Sequence, residues 1–197
     1  MTVSILGDWK AWIIIIDYVI SFGGYLTFAS YLPNYMDKYH GLDRKPALLF
    51  NAAFLIISSL NRSGLSPITD KIGGAKSTFI GICIVAVGCI TMGFSVKGEP
   101  WGIPAIAGLL IVSIGLGLTN AAVFKWIPKI FIGYAGEVGA YAGAIGATGG
   151  FFLPIALGAM GGATNPMALN LITGMCVVMN LCNICLIMAG PNPPLGK

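Results

Sequence analysis

Six apolar runs, each close to the length that crosses a bilayer, follow one another with very little between them. A helix needs about 20 apolar residues to cover the roughly 30 Å hydrocarbon core. The runs at 11–35, 46–65, 77–96, 102–131, 138–160 and 167–189 meet that length. The stretches between them, PNYMDKYHGLDRKP, DKIGGAK, KGEPWGIP, GYAGE and GGATNP, carry the glycines, prolines and charges of turns. Inside lipid every backbone amide must find its partner within the protein, and helices joined by tight turns achieve that. The expectation is an all-α integral membrane protein: one six-helix domain over residues 1–197.

Composition narrows the function classes. Charged residues make up 9% of the 197, where a water-soluble domain carries about 25%; mean hydropathy is +0.86. The formal charge of +4 is spread thinly, with no basic run or interleaved aromatic pattern that would suit a nucleic acid. Cys83, Cys89, Cys176, Cys182 and Cys185 all lie in apolar runs. Cys182 and Cys185 form a CxxC, but no second ligand pair accompanies it, so packing is the better reading than metal or redox chemistry. His40 is the single histidine and lies in a polar loop, so no histidine-based metal site or catalytic triad is expected. An enzyme is not expected, nor a metal or other cofactor. The N-terminal MTVSILGDWK lacks a basic region followed by a small-residue cleavage site, so the first run reads as a retained span.

Against this background Arg62 is conspicuous, because it closes the apolar run PALLFNAAFLIISSL. Counted from Pro46 it lies roughly 24 Å along a helix rising ~1.5 Å per residue. Two readings compete. The side chain snorkels to a nearby interface, or its guanidinium fork binds a flat oxyanion inside the bundle. A central arginine facing lipid costs roughly 3 kcal/mol even on a lenient scale, and a bound anion offsets that.

Eight residues on, LSPITDKIGGAK resembles the loop signature of the major facilitator superfamily, with Asp70, Lys71, Gly73, Gly74 and Lys76 at the marked positions. Leu65 and Ser66 depart from the usual glycine pair. The spacing of Arg62 to Asp70 is similar to that of the anion-binding arginine on the eighth helix of the nitrate/nitrite porters. DYVISFGGYLTFASYLP resembles their seventh helix, placing Tyr18 and Phe22 at the aromatic pair. GLGLTNAAVFKWIPKIF resembles the tenth helix. VGAYAGAIGATGGFFLPIALG resembles the glycine-rich eleventh, with Ile155 where some members carry lysine.

The resemblance covers nearly the whole chain in collinear order, as the C-terminal half of a twelve-span family. It implies one half of a major facilitator fold, built as a 3+3 inverted repeat, in a prokaryotic cytoplasmic membrane with both termini inside. Lys10, Lys71, Lys76, Lys129 and Lys197 then face inward against Lys38, Arg44, Lys45 and Lys97 outside, a weak positive-inside bias. It also implies nitrate or nitrite as substrate, with Arg62 binding the anion, Tyr18 donating to it and Phe22 sealing it. Gly143, Gly146 and Gly149 would bring backbone near the anion, though small residues at this spacing also simply let helices approach.

Two other charges admit two readings each. Lys125 snorkels to the cytoplasmic end or acts as a lure for anions. Asp17 sits in a water-exposed vestibule or relays a proton. The porters use a second arginine from their other half, and Arg44 lies in a loop. The expected partner is therefore an N-terminal six-helix half, as a separate chain or missing segment, or a second copy of this chain. The alternatives are a facilitator half for another small anion, such as formate or oxalate, and a non-transporting membrane subunit.

Overall fold

The computed structural model describes residues 7–99, 102–165 and 168–189. Six helices there are long and apolar enough to cross a membrane: Trp9–Lys38, Arg44–Ile72, Gly74–Gly93, Ile103–Ile130, Ala135–Ala159 and Leu169–Ala189, hereafter the first to sixth spans. The expected start of the last run at residue 167 and the expected tail to Lys197 lie outside the described residues, as does MTVSIL.

The spans begin and end for identifiable reasons. Asp8 caps the first by accepting from the Lys10 amide at 2.9 Å. Pro104 opens the fourth, where its missing N–H is no loss. The largest departure from expectation concerns the second span, which does not stop at residue 65. A short break at Leu65 separates Arg44–Gly64 from Ser66–Ile72, and helix then continues to Ile72. Pro67 causes this, because in the first turn of a helix its fixed φ is favourable. Asp70 and Lys71 are thus helical, and the turn shrinks to Gly73, whose φ of 90° suits glycine. Gly74 and Lys76 already belong to the third span.

The first span contains a π turn, Val19–Gly23, between the helical pieces Trp9–Tyr18 and Gly24–Lys38. The first span packs on the fifth as the fourth packs on the second. Exchange of two three-span sets requires that correspondence, and the all-helical six-span bundle is half of a major facilitator fold. The third and fourth spans make the tightest pair. Gly74, Gly81 and Gly88, spaced by seven, meet Trp126, Thr119 and Val112, while Gly108 and Gly115 meet Met92 and Val85 in return. A seven-residue repeat keeps one stripe facing a partner at a shallow crossing.

At the end of the bundle opposite Asp70, aromatic rings stitch two connections together. Tyr31, Tyr35 and Tyr39 stack in sequence. Tyr35 shares a 2.5 Å hydrogen bond with Ser95, and His40 Nδ1 bonds the Glu99 carbonyl at 2.7 Å. Burial pushes the His40 imidazole below its usual value, against the opposing effect of Glu99.

Candidate anion site

Arg62 lies ten residues before the end of the second span at Ile72, about 15 Å by helical rise. The helical extension past residue 65 therefore sets it deeper than the sequence implied, on the span least buried within the bundle. Only 11% of the apolar window of that span is covered, against 72% in the fourth. Arg62 is exposed and, among the described residues, makes no ion pair.

Beside it is a cavity of about 210 Å³ lined by Phe22, Tyr25, Ser58, Ser59, Leu116, Gly117 and Asn120 as well as Arg62. Three spans build it. The first contributes stacked rings: Tyr18 and Phe22 lie 5.3 Å apart at 12°, and Phe22 and Tyr25 6.4 Å apart at 11°. The π turn falls here, and such turns recur at functional positions. The second contributes Arg62 and the two serines, Ser59 lying 3.5 Å from the Tyr25 hydroxyl. The fourth contributes Gly117, where a Cβ would come within 2.6 Å of Asn61 Cβ and 2.9 Å of the Arg62 amide nitrogen. That close approach, with Asn61 donating to Ser113 at 3.2 Å, sets the backbone carrying Arg62 against the fourth span.

The polar inventory suits an anion. Ser58 Oγ and Asn120 Oδ1 are buried without a hydrogen-bond partner among the described residues. A hydroxyl can donate, and an amide can turn to present its NH2 group. With the guanidinium, these supply donors from two spans to one small space.

Phe22 and Arg62 both line the cavity, but Tyr18 does not. It is buried behind Phe22, edge-on to Phe124 at 5.0 Å, with its hydroxyl near Asn120 and within electrostatic reach of Arg62. The fifth-span glycines are not among the lining residues either. Gly146 gives space to the Tyr18 ring, and Gly149 meets Val19 and the Cα of Gly23 at 3.0 Å, so both seat the π turn. Gly143 faces open space, with no atom within 4 Å of where a Cβ would stand.

The structure bears on the open readings of both charges. Asp17 is not in an exposed vestibule: it is fully buried and accepts from Asn183 Nδ2 at 2.9 Å, outside the cavity. Lys125 does not snorkel free, because its ammonium pairs with Asp70 at 2.6 Å and donates to the Ser66 carbonyl at 2.7 Å. The sequence put these partners 55 residues apart; the helical extension after Leu65 brings Asp70 up beside the fourth span. Lys71 and Lys76 remain exposed. Sequence reasoning missed Tyr25, Ser58, Ser59, Gly117 and Asn120. Asn120 left only the weak signal of a polar amide inside an apolar span, a placement that Asn51, Asn61, Asn180 and Asn183 share. Among the described residues no group of three or more His, Cys, Asp or Glu could hold a metal.

No family model matches the chain. Three curated proteins are similar to it. The probable nitrate/nitrite antiporter NarK1 of Thermus thermophilus is 30% identical over 160 residues, covering 74% of this chain and 36% of its own length. The nitrite extrusion protein of Bacillus subtilis is 31% identical over 150 residues, again 74% and 36%. The probable nitrate transporter NarT of Staphylococcus haemolyticus is 28% identical over 150 residues, 76% and 38%. The chain spans about a third of the length of the curated relatives it matches. Half a major facilitator fold, an arginine without an ion pair among the described residues and these similarities agree, and the chain is consistent with a partial nitrate/nitrite porter of the major facilitator superfamily.

Proposed function

We propose that this chain supplies the C-terminal wall of a nitrate/nitrite transport path, completed by a six-helix N-terminal half or by a second copy. The observation that carries the reading is Arg62, without an acidic partner among the described residues, in a cavity beside the unpartnered Ser58 Oγ and Asn120 Oδ1. A planar oxyanion takes two parallel hydrogen bonds from a guanidinium, and the geometry selects for flat trigonal anions. Ser58 and Asn120 add donors, while Phe22, held by Tyr18 and Tyr25, excludes water. Exposure of Arg62 on an uncovered span fits a site closed by another half. Alternating access would rock the halves about it, with the Asp70 end facing the cytoplasm. The Asp70–Lys125 pair and Gly73 then form the flexible corner that this rocking loads.

The test is anion flux in vesicles containing this chain and its completing half. Removing one partner from a buried charge pair costs about 2 kcal/mol or more, so Arg62→Ala should lower nitrate flux at subsaturating concentration at least ~30-fold. Undiminished flux removes Arg62 from the site. Flux competed by formate or oxalate but indifferent to nitrate would assign another small anion. A melting temperature unmoved by every such anion would favour a non-transporting subunit, since a ligand of the folded state must stabilise it. Asp17 is the candidate for proton coupling, although it lies sealed against Asn183. If Asp17→Asn leaves the pH dependence of flux unchanged, Asp17 has no part in coupling.

A further inference from the structure

A second cavity, of about 340 Å³, opens at the Asp70 end of the bundle where the end of the second span meets the third, fourth and sixth, and it shares no residue with the Arg62 cavity. One side is basic. Lys76 stands in the first turn of the third span and Lys129 in the last turn of the fourth, both exposed. Neither has an acidic partner among the described residues, and Asp70 is taken by Lys125. Most of the remaining lining is apolar, with Ile72 and Ile187 about two-fifths exposed and Leu186 buried. Trp126, 5% exposed, forms part of the wall where its backbone meets Gly74.

A free inorganic anion would use the lysines and leave the isoleucines idle. A neutral lipid would use the isoleucines and leave two unpaired ammonium groups idle. Only a ligand with an anionic head and a hydrocarbon tail uses both sides. Lysine and tryptophan at the end of a span stand at the depth where phospholipid headgroups lie, and basic clefts between spans take such headgroups.

We propose that this cavity binds an anionic phospholipid, with its phosphate between Lys76 and Lys129 and its first acyl carbons against Ile72 and Ile187. The bound lipid would lie across the Gly74–Trp126 contact, the last contact of the glycine seam between the third and fourth spans. It would therefore hold that seam closed at the end where the chain turns at Gly73.

The experiment uses the full chain in nanodiscs of phosphatidylcholine, with or without phosphatidylglycerol, reading lipid retention by native mass spectrometry and the melting temperature. Phosphatidylglycerol should be retained in preference and should raise the melting temperature. Each lysine at a membrane surface strengthens anionic binding by roughly fivefold. Lys76→Gln with Lys129→Gln should thus weaken retention roughly 30-fold, while Lys38→Gln with Lys45→Gln, at the other end, should leave it unchanged. If the double variant is unfolded in pure phosphatidylcholine, Lys129→Gln alone carries the same test at roughly fivefold. Equal retention by wild type and variant overturns the site. So does a rise in melting temperature with free glycerol phosphate as large as that with the lipid, which would make it a site for a soluble anion.

Discussion

The third and fifth spans both carry glycines at helical spacing, yet the two sets do different things. In the third span Gly74, Gly81 and Gly88 each press against backbone or Cβ of the fourth, so the stripe is filled from end to end. In the fifth span the set divides. Gly146 and Gly149 receive the π turn of the first span, and Gly143 meets nothing within the bundle. Glycine spacing therefore shows where a backbone is able to approach, and the neighbouring span decides whether it does. A seam filled at every seventh residue behaves as one rigid unit, whereas a divided stripe leaves Gly143, like Gly136 and Gly158 nearer the ends of the span, open to a surface outside the chain.

The sharpest way to break this contrast is to add a side chain to the filled stripe. At Gly81 a Cβ would fall inside contact with Thr119 Oγ1 and 3.0 Å from the Thr119 amide nitrogen. That backbone cannot swing away as a flexible side chain could. Gly81→Leu should destabilise by about 3 kcal/mol or more, at the top of the overpacking range. The melting temperature in detergent and the yield of monodisperse protein would read this out. A variant that melts with the wild type would show that the third and fourth spans are not a rigid pair.

At Gly146 the added methyl meets mainly the Tyr18 ring. The ring could yield, but it is stacked on Phe22 and edge-on to Phe124, and Phe22 lines the cavity. Gly146→Ala should therefore cost about 1–2 kcal/mol of stability, on the overpacking scale, and also weaken anion binding. Calorimetric titration with nitrate, alongside the melt, separates the two. Loss of stability with unaltered affinity would mean that the π turn packs without shaping the site.

These positions also mark how far the sequence could be read. Six spans were legible because a helix buries its own amides and the runs had the required length. Arg62 stood out because charge inside an apolar run is costly; Phe22 was singled out by the resemblance of its span, and its four-residue spacing from Tyr18 did not bring Tyr18 to the cavity. The filled seam was not, although Gly74, Gly81 and Gly88 repeat every seven residues; a period reveals a stripe but not the span that covers it. Asp70–Lys125 was hidden by the helical continuation after Leu65, which Pro67 permits although proline suggests an ending. Asn120 was hidden because an isolated amide in a span carries no spacing to match. Asp17 looked accessible by its distance from Lys10 and is instead turned inward to Asn183. In each case the missing information was which face of one helix meets which face of another.

Gly117 tests the same distinction on the fourth span, with a smaller effect on stability and a selective one on binding. A methyl there would press on Asn61 Cβ and the Arg62 amide nitrogen, and the second span is the least buried and so the freest to shift. Gly117→Ala should cost about 1 kcal/mol or less in stability, because the displaced span relaxes outward. Displacing Arg62 from Ser58 and Asn120 should still raise the KM for nitrate in the completed transporter roughly tenfold, the equivalent of about 1.4 kcal/mol. A change in kcat alone, at constant KM, would mean that the Gly117 contact acts on movement of the halves and not on the site.

The smallest expected change lies at Gly143, and its size is the informative part. No atom stands within 4 Å of the methyl that Gly143→Ala would add. Alanine also holds a helix better than glycine, by roughly 0.5–1 kcal/mol. The melting temperature of the chain alone should therefore stay level or rise slightly, whereas Gly81→Leu collapses it. The same variant in the completed transporter asks a separate question. If Gly143 serves only the fold of this chain, flux is unchanged. If the open half of the fifth-span stripe receives a helix of the other half or lets backbone approach the anion, flux falls although stability does not. A stable chain with impaired flux would assign Gly143 to a contact that forms only when the two walls close, and a stable chain with normal flux would reduce the fifth-span glycines to the seating of the π turn by Gly146 and Gly149.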